Sequence, residues 1–254
     1  MGWRTTRYKE KNDSRTLLPV MFWIHGGAFQ FASGNEADET LLMDRDIVFV
    51  AVNYRLGPFG FLSTGDDVVP GNMGLKDQSQ ALRWVHDHIS NFGGDPQKIT
   101  IFGMSAGGAS VHYHYLSRLS AGLFQNGISI SGVALTPWAQ TKYAPDKARR
   151  FAATLGCPTR NTKEMVDCLQ TRPARIISQA IGEVVNFYYF FYLDIKRLQL
   201  YLFSYKFRIF NHSLIIVYLL DQLLTNMGPT LLLLVRQSIL SLVAKHTMFP
   251  GFLE

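Results

Sequence analysis

Four short apolar runs in the first half of the chain limit its fold more than any other feature. They are of strand length, rich in β-branched residues and continuous, which predicts a sheet covered on both faces. Patterns typical of helices separate the later runs, in residues 74–94 and in Ser105–Leu119. This alternation predicts an α/β fold with a largely parallel sheet. The runs lie in the segments PVMFWIHGG, DIVFVAVNYR, KITIFG and GISISG.

The composition is that of a globular protein with a sizeable core. Of the 254 residues, 47% are hydrophobic and 17% are charged, enough apolar material for one large or two small domains. The net charge of +6 resides in the two ends, because residues 17–186 contain 14 basic and 14 acidic residues. A neutral central segment gives no reason to expect a nucleic-acid partner.

The two cysteines and the lengths of the apolar stretches give no reason to expect a metal-binding protein or a membrane-spanning protein. Cys157 and Cys168 form no C-x-x-C motif, so neither a zinc site nor any other metal site is expected. Their spacing is compatible with a small disulfide loop in an oxidising compartment, although the first residues do not resemble a signal peptide. Two Asn-x-Ser sequons, at Asn12 and Asn211, are compatible with glycosylation. No uninterrupted apolar stretch is long enough to predict a membrane span.

A serine stands between glycines where the third apolar run ends. Gly103-Met-Ser105-Ala-Gly107 follows the predicted strand directly and precedes a predicted helix. A turn this tight needs small residues two positions either side of the serine, and it presents the hydroxyl above the sheet. The pattern predicts that Ser105 is a nucleophile, with Gly103 and Gly107 as the glycines of its turn. The alternative is an ordinary glycine-rich loop.

A second glycine pair follows the first apolar run, in IHGGAF. Glycine lets the backbone approach a substrate and direct its N–H groups outward. Such donors stabilise the oxyanion that forms when an ester carbonyl is attacked. We therefore predict that Gly26, Gly27 and Ala106 donate the N–H groups of an oxyanion hole. The alternative is again a plain turn.

Several long segments together resemble the type B carboxylesterase/cholinesterase family, notably its insect esterases. They are HGGAF, DIVFVAVNYRLGPFGFLSTGD, GNMGLKDQSQALRWVHDHISNFGGDPQKITIFGMSAGGASV and GLFQNGISISG. The resemblance implies an α/β-hydrolase fold and cofactor-free hydrolysis of small carboxylic esters by a Ser–Glu/Asp–His triad. It assigns Ser105 as nucleophile, with Gly26, Gly27 and Ala106 as oxyanion-hole donors. A further segment, LGCPTRNTKEMVDCL, resembles one whose cysteines pair, which implies a Cys157–Cys168 disulfide and a secreted protein or one that passes through the endoplasmic reticulum.

The acid and the histidine of the triad are not identified in this chain. In the family they follow the serine, the acid by more than 100 residues, whereas only 149 residues follow Ser105 here. None of the available side chains stands in the family's motif. We therefore expect little turnover from the chain as given. The side chains considered are His25, His86, His88, His112, His114, His212, His246, Asp221 and Glu254.

The resemblance divides the chain into three parts. Residues 1–16 are expected to be a loose N-terminal remnant, and residues 17–185 the N-terminal half of an α/β-hydrolase domain. Residues 186–254 form an apolar tail whose bias is that of translated AT-rich non-coding DNA, so we expect a truncated or mis-spliced product. Two other functions stay open, a non-catalytic binding or adhesion member of the same fold and a non-functional fragment. The sequence leaves open which ester is the substrate and the oligomeric state.

Overall fold

The structure is a computed structural model that describes residues 3–7, 17–184 and 214–217, except residues 38, 41, 141 and 142. Strands and helices alternate along these residues, as the apolar pattern predicts. No helix in this part of the chain combines the length and apolar character needed to cross a membrane.

Six described strands form one sheet. They are β1 (Trp3–Arg7), β2 (Leu18–Ile24), β3 (Val48–Val52), β4 (Gly94–Met104), β5 (Asn126–Ile130) and β6 (Leu214–Val217). Their order across the sheet is β1-β3-β2-β4-β5-β6. Strand β1 is antiparallel to β3, and every other neighbouring pair is parallel. In the register, Phe22 of β2 lies between Val50 of β3 and Ile101 of β4. The parallel sheet with its crossover helices is the predicted α/β architecture.

Helices connect the strands and continue beyond β5. The α-helices are α1 (Gly57–Phe61), α2 (Met73–His88), α3 (Ala106–Leu116), α4 (Ala144–Thr154), α5 (Thr162–Gln170) and α6 (Ala174–Val184). Three 3₁₀ turns lie at Gly34–Glu36, Ile89–Phe92 and Pro137–Ala139. The Ile89–Phe92 turn ends at Gly93, whose φ of 80° lets the chain reverse into β4.

The core lies on both faces of the sheet, which is why the strands have no polar alternation. Successive side chains of a strand point to opposite faces. Phe22 therefore packs on one face against Leu82 and Val85 of α2, and Met21 packs on the other face with Phe49 and Phe102. All five residues of β3 are buried. A continuous apolar run is the pattern expected of a strand with no solvent-facing side.

Helices α4, α5 and α6 form a separate small cluster. Phe151, Met165 and Leu169 are buried at its centre. A disulfide joins Cys157, just after α4, to Cys168 in α5, with 5.7 Å between their Cα atoms. The pairing that the family resemblance implies is thus present in the structure.

Two parts of the chain differ from the sequence-based division or lie outside it. Trp3–Arg7 belong to the segment expected to be loose, yet they form edge strand β1 along β3. An edge strand is stabilised by backbone hydrogen bonds, so it needs no apolar alternation that the sequence would reveal. In the predicted tail only Leu214–Val217 are described, as β6 beside β5. The remainder of residues 186–254 lies outside the described residues, as do both Asn-x-Ser sequons, at Asn12 and Asn211.

Candidate active site

Ser105 occupies a sharp turn between β4, which ends at Met104, and α3, which begins at Ala106. Its φ of 56° and ψ of −117° lie where side-chain-bearing residues are strained. Two hydrogen bonds hold this backbone: Ser105 N–H donates to the Ile130 carbonyl at 2.8 Å, and Ala109 N–H donates to the Ser105 carbonyl at 2.9 Å. The side chain is half-buried at the carboxyl edge of the sheet. These bonds fix the Ser105 backbone and so the position of the Cβ atom that carries the hydroxyl.

Gly103 and Gly107 make the turn sterically possible. A Cβ atom on Gly103 would lie 2.5 Å from the carbonyl carbon of Gly107 and 2.6 Å from the carbonyl oxygen of Ile24. A Cβ atom on Gly107 would overlap the same Ile24 oxygen. Both glycines are thus required by close backbone approach, as the motif predicts.

Gly132 is a third glycine of this turn, and sequence reasoning did not single it out. A Cβ atom there would overlap the Ser105 carbonyl oxygen and lie 2.8 Å from its carbonyl carbon. The signal was present as the last residue of GISISG. Its meaning depends on β5 lying beside β4, which brings the end of one strand against the turn after the other.

The glycine pair lies in a loop directly beside Ser105. This loop, His25–Phe29, follows β2, and β2 is the neighbour of β4, so both carboxyl ends meet at one edge. A Cβ atom on Gly26 would lie 2.7 Å from the Met104 carbonyl oxygen and 3.4 Å from Ser105 Cβ. The structure therefore brings the two predicted glycine motifs into contact.

Three N–H groups of this loop are unpaired within the described part of the chain. No residue that the structure describes accepts a hydrogen bond from Gly26, Gly27 or Ala28. Ala106 is the first residue of α3, where backbone N–H groups lack an acceptor within the helix. Four N–H groups, those of Gly26, Gly27, Ala28 and Ala106, are thus without an acceptor among the described residues, three of them the ones that the sequence singled out.

Ala28 carries the one of these four N–H groups that sequence reasoning did not single out. Its φ is 54°, and it lies between Gly27 at 95° and Phe29 at 61°. Alanine disfavours the left-handed region, so its residue type gave no sign that the loop continues in this conformation. The backbone therefore has positive φ at three consecutive residues of this loop.

None of the described histidines contacts the Ser105 hydroxyl. His112, on the same helix, accepts a hydrogen bond at Nδ1 from Ala134 N–H at 3.3 Å. His86 pairs with Asp87 at 3.0 Å, and His88 stacks on Trp84 with 5.0 Å between ring centroids. The structure thus gives each of these imidazoles a contact away from the serine.

Two further histidines are buried. His114 is enclosed between α2 and α3, with Nδ1 2.8 Å from Ser120 Oγ and Nε2 3.0 Å from Gln78 Oε1, and burial lowers its pKa to about 4. His25 has its Nδ1 2.8 Å from the Gly26 carbonyl oxygen. His212, His246, Asp221 and Glu254 lie outside the described residues.

The described residues contain no cluster of three His, Cys, Asp or Glu side chains that could hold a metal ion. One ion pair joins α2 to the segment that follows β3: Asp77 of α2 accepts hydrogen bonds from Arg55 Nε and Nη2, each at 2.8 Å. A third bond reaches Asp77 from the Arg55 backbone N–H at 3.0 Å. Both carboxylate oxygens of Asp77 therefore accept hydrogen bonds from Arg55, in the segment that follows β3.

A parallel sheet covered on both faces, with a serine strained on its strand–helix turn, is the architecture of the α/β hydrolases. Residues 6–198 match the family model described as the carboxylesterase family. The chain belongs to that family. The match extends at both ends beyond residues 17–185, the range that carries the recognisable motifs.

Named relatives give the same family. A carboxylic ester hydrolase of Bombus ignitus is 78% identical over 178 residues, which cover 70% of this chain and 32% of that protein. Venom carboxylesterase-6 of Apis mellifera is 74% identical over 179 residues, 70% of this chain and 32% of that protein. Juvenile hormone esterase of Tribolium castaneum is 46% identical over 190 residues, 72% of this chain and 32% of that protein. The chain spans about a third of the length of these relatives.

Proposed function

We propose that this chain carries the nucleophile and oxyanion hole of a carboxylic-ester hydrolase, with Ser105 as the nucleophile. The observation that carries the proposal is the close approach of Gly26, in the His25–Phe29 loop, to the strained Ser105 turn, since N–H groups of this loop are unpaired among the described residues. The names of the relatives, a carboxylic ester hydrolase and a juvenile hormone esterase among them, support an ester substrate.

In the proposed reaction Ser105 Oγ attacks the carbonyl carbon of the ester. The carbonyl electron pair moves onto oxygen, and the N–H groups of Gly26, Gly27 and Ala106 stabilise the resulting oxyanion, with Ala28 N–H as a further donor. The proton of Ser105 passes to a base or to solvent water as the C–O bond forms. The tetrahedral intermediate then collapses, the bond to the alcohol oxygen breaks, and that oxygen takes up a proton to replace the one that Ser105 lost. Water hydrolyses the acyl-serine by the same steps in reverse order. No cofactor enters this sequence.

The step that limits this chain is removal of the Ser105 proton. A serine hydroxyl is a weak nucleophile unless an adjacent base accepts its proton, and no described histidine forms a hydrogen bond with the Ser105 hydroxyl. We therefore expect slow reaction from the chain as given. Oxyanion stabilisation alone still leaves a rate well above that of water.

The proposed setting follows from the disulfide and the charge. A Cys157–Cys168 disulfide is typical of proteins that pass through the endoplasmic reticulum or are secreted, and one relative is named a venom carboxylesterase. The substrate is a small-molecule carboxylic ester. The neutral segment around the site gives no surface suited to nucleic acid.

A fluorophosphonate probe, which phosphonylates activated serines, tests the nucleophile. We expect slow labelling of Ser105, located by peptide mass spectrometry, that Ser105→Ala abolishes. Ser90→Ala is the matched control, because Ser90 is exposed in the Ile89–Phe92 turn away from the site. Complete resistance of the native chain would contradict the proposed nucleophile. Rapid stoichiometric labelling would instead show that a base is present.

The second candidate is a non-catalytic binding protein of the same fold. It is favoured by one observation: each described histidine has a hydrogen-bond partner other than Ser105 Oγ. Such a protein would bind a non-hydrolysable ester analogue, measured by calorimetry, with the same affinity before and after Ser105→Ala. An esterase should lose labelling in that variant even where binding persists.

A further inference from the structure

Three consecutive peptide planes carry the unpaired N–H groups beside Ser105. A peptide unit is planar and trans, so its C=O and N–H bonds point in opposite directions. Fixing the carbonyl of His25 therefore orients Gly26 N–H, and fixing the carbonyls of Gly26 and Gly27 orients the next two N–H groups. All three carbonyls accept hydrogen bonds in this structure.

The first plane is held from the neighbouring strand. Tyr54, which follows β3, donates its hydroxyl proton to the His25 carbonyl at 2.9 Å. Tyr54 is buried, and the residues on either side of it are anchored as well. Asn53 Oδ1 accepts from Gly34 N–H at 2.7 Å, and Arg55 is bound by Asp77 at 2.8 Å. The Tyr54 hydroxyl therefore belongs to a segment, residues 53–55, in which each side chain is held by a hydrogen bond or an ion pair.

The second plane is held by the His25 side chain itself. His25 Nδ1 lies 2.8 Å from the Gly26 carbonyl oxygen. A carbonyl oxygen only accepts, so Nδ1 must carry the proton. Burial lowers the pKa of His25, which favours the neutral ring with that proton in place.

The His25 ring is supported on its face. It stacks on the Tyr54 ring with 4.4 Å between centroids and 18° between planes. Its Nε2 is buried without a partner among the described residues. A buried acceptor without a partner destabilises the folded state. The ring stack and the Nδ1 hydrogen bond stabilise the His25 side chain in this position despite its unpaired Nε2.

The third plane needs no side chain. The Gly27 carbonyl accepts from the N–H groups of Gln30 at 2.8 Å and Phe31 at 3.1 Å, within the same loop. The planes before Gly26 and Gly27 have no such local support, so they depend on Tyr54 and His25.

We propose that Tyr54 and His25 are positioning residues that orient the N–H groups of Gly26 and Gly27 toward the oxyanion formed at Ser105. The inference rests on the proposed function of those N–H groups. Neither side chain needs to touch substrate. Each acts through a backbone carbonyl on the far side of the peptide plane from the donor.

The Tyr54→Phe variant tests the first plane, because it keeps the ring stack and removes only the hydroxyl. Loss of a whole oxyanion-hole donor slows an acyl transfer by about 100- to 1000-fold. Misdirecting one donor among several should slow fluorophosphonate labelling of Ser105 by about 10- to 100-fold. Tyr113→Phe is the matched control: it also loses a hydroxyl bond to a backbone carbonyl, that of Ala139 at 3.0 Å, and should label at the native rate.

A second readout does not depend on reactivity. The ¹⁵N order parameter of the Gly26 amide should be about 0.85 in the native chain and fall toward about 0.6 in Tyr54→Phe. When Tyr54→Phe is combined with Ser105→Ala, which removes the labelling site, the order parameter of the Gly26 amide should fall by the same amount. An unchanged order parameter at Gly26 overturns the inference whatever the labelling rates are. A native chain that is not labelled at all contradicts the proposed function instead, and the Gly26 amide still decides the inference.

Variants of His25 test the second plane. His25→Phe keeps an aromatic ring on Tyr54 and loses the donor to the Gly26 carbonyl, so the Gly27 amide should become mobile and labelling should slow by about 10-fold or more. His25→Asn carries an amide N–H near the Nδ1 position and should restore part of the rate. If His25→Phe and His25→Asn had equal labelling rates and equal Gly27 order parameters, the inferred role of His25 would be overturned.

Discussion

His114 should make the folded protein lose stability in mild acid. Its ring is enclosed between α2 and α3 and contacts Ser120 and Gln78, neither of which carries a charge. Burial lowers the pKa of His114 from 6.5 to about 4. Between these two pH values His114 is protonated in the unfolded chain but remains neutral in the folded chain. The free energy of unfolding therefore falls as the pH falls.

The size of the effect follows from the two pKa values. Stability from this group is complete above the unfolded pKa of 6.5 and declines as the pH falls toward the folded value of about 4. The linkage relation gives a loss of about 2 kcal/mol between about pH 8 and about pH 5. The limit at still lower pH is about 3 kcal/mol. Such a loss is a large share of a typical free energy of unfolding.

Urea unfolding followed by tryptophan fluorescence measures this at both pH values. His114→Gln is the comparison, because its amide keeps hydrogen-bonding groups near Ser120 and Gln78 but does not titrate. The native chain should lose about 2 kcal/mol more than His114→Gln between about pH 8 and about pH 5. Equal losses in the two proteins would refute the reasoning, since the acid sensitivity would then arise elsewhere.

Three further changes should have separable effects. Gly107→Ala should abolish fluorophosphonate labelling of Ser105, because the new Cβ would overlap the Ile24 carbonyl oxygen; labelling at the native rate would show that the turn tolerates a side chain. Replacing Cys157 and Cys168 by serine opens a loop with a sequence separation of 11 and should lower the free energy of unfolding in urea by about 3 kcal/mol. Asn161→Ala removes the oxygen that caps α5 through Lys163 N–H at 2.9 Å and Glu164 N–H at 3.1 Å, which should cost about 1 kcal/mol, whereas Asn161→Asp should lose little.

Much of the fold could be predicted from local pattern. A continuous apolar run such as Val48–Val52 needs partners on both faces, and only a covered sheet provides them. The serine turn was equally readable, because its two glycines and the serine stand within five consecutive residues. In both cases the signal lies within a short stretch of chain, although the Ile24 carbonyl that excludes a side chain at Gly107 belongs to β2.

Edge strand β1 and the left-handed backbone of Ala28 were not readable in this way. Trp3–Arg7 are a strand because they pair with β3, some 45 residues away along the chain. Ala28 adopts a φ of 54° although alanine disfavours it. Here the surrounding contacts overrule the preference of the residue.

The contact between Tyr54 and the His25 carbonyl illustrates the limit most clearly. These residues are 29 positions apart, and each follows a different strand. Residue types alone show that a tyrosine and a histidine exist, but not that β3 lies beside β2 in the register that stacks their rings. Sequence patterns report what a segment needs from its surroundings, whereas strand order and register decide which groups meet that need.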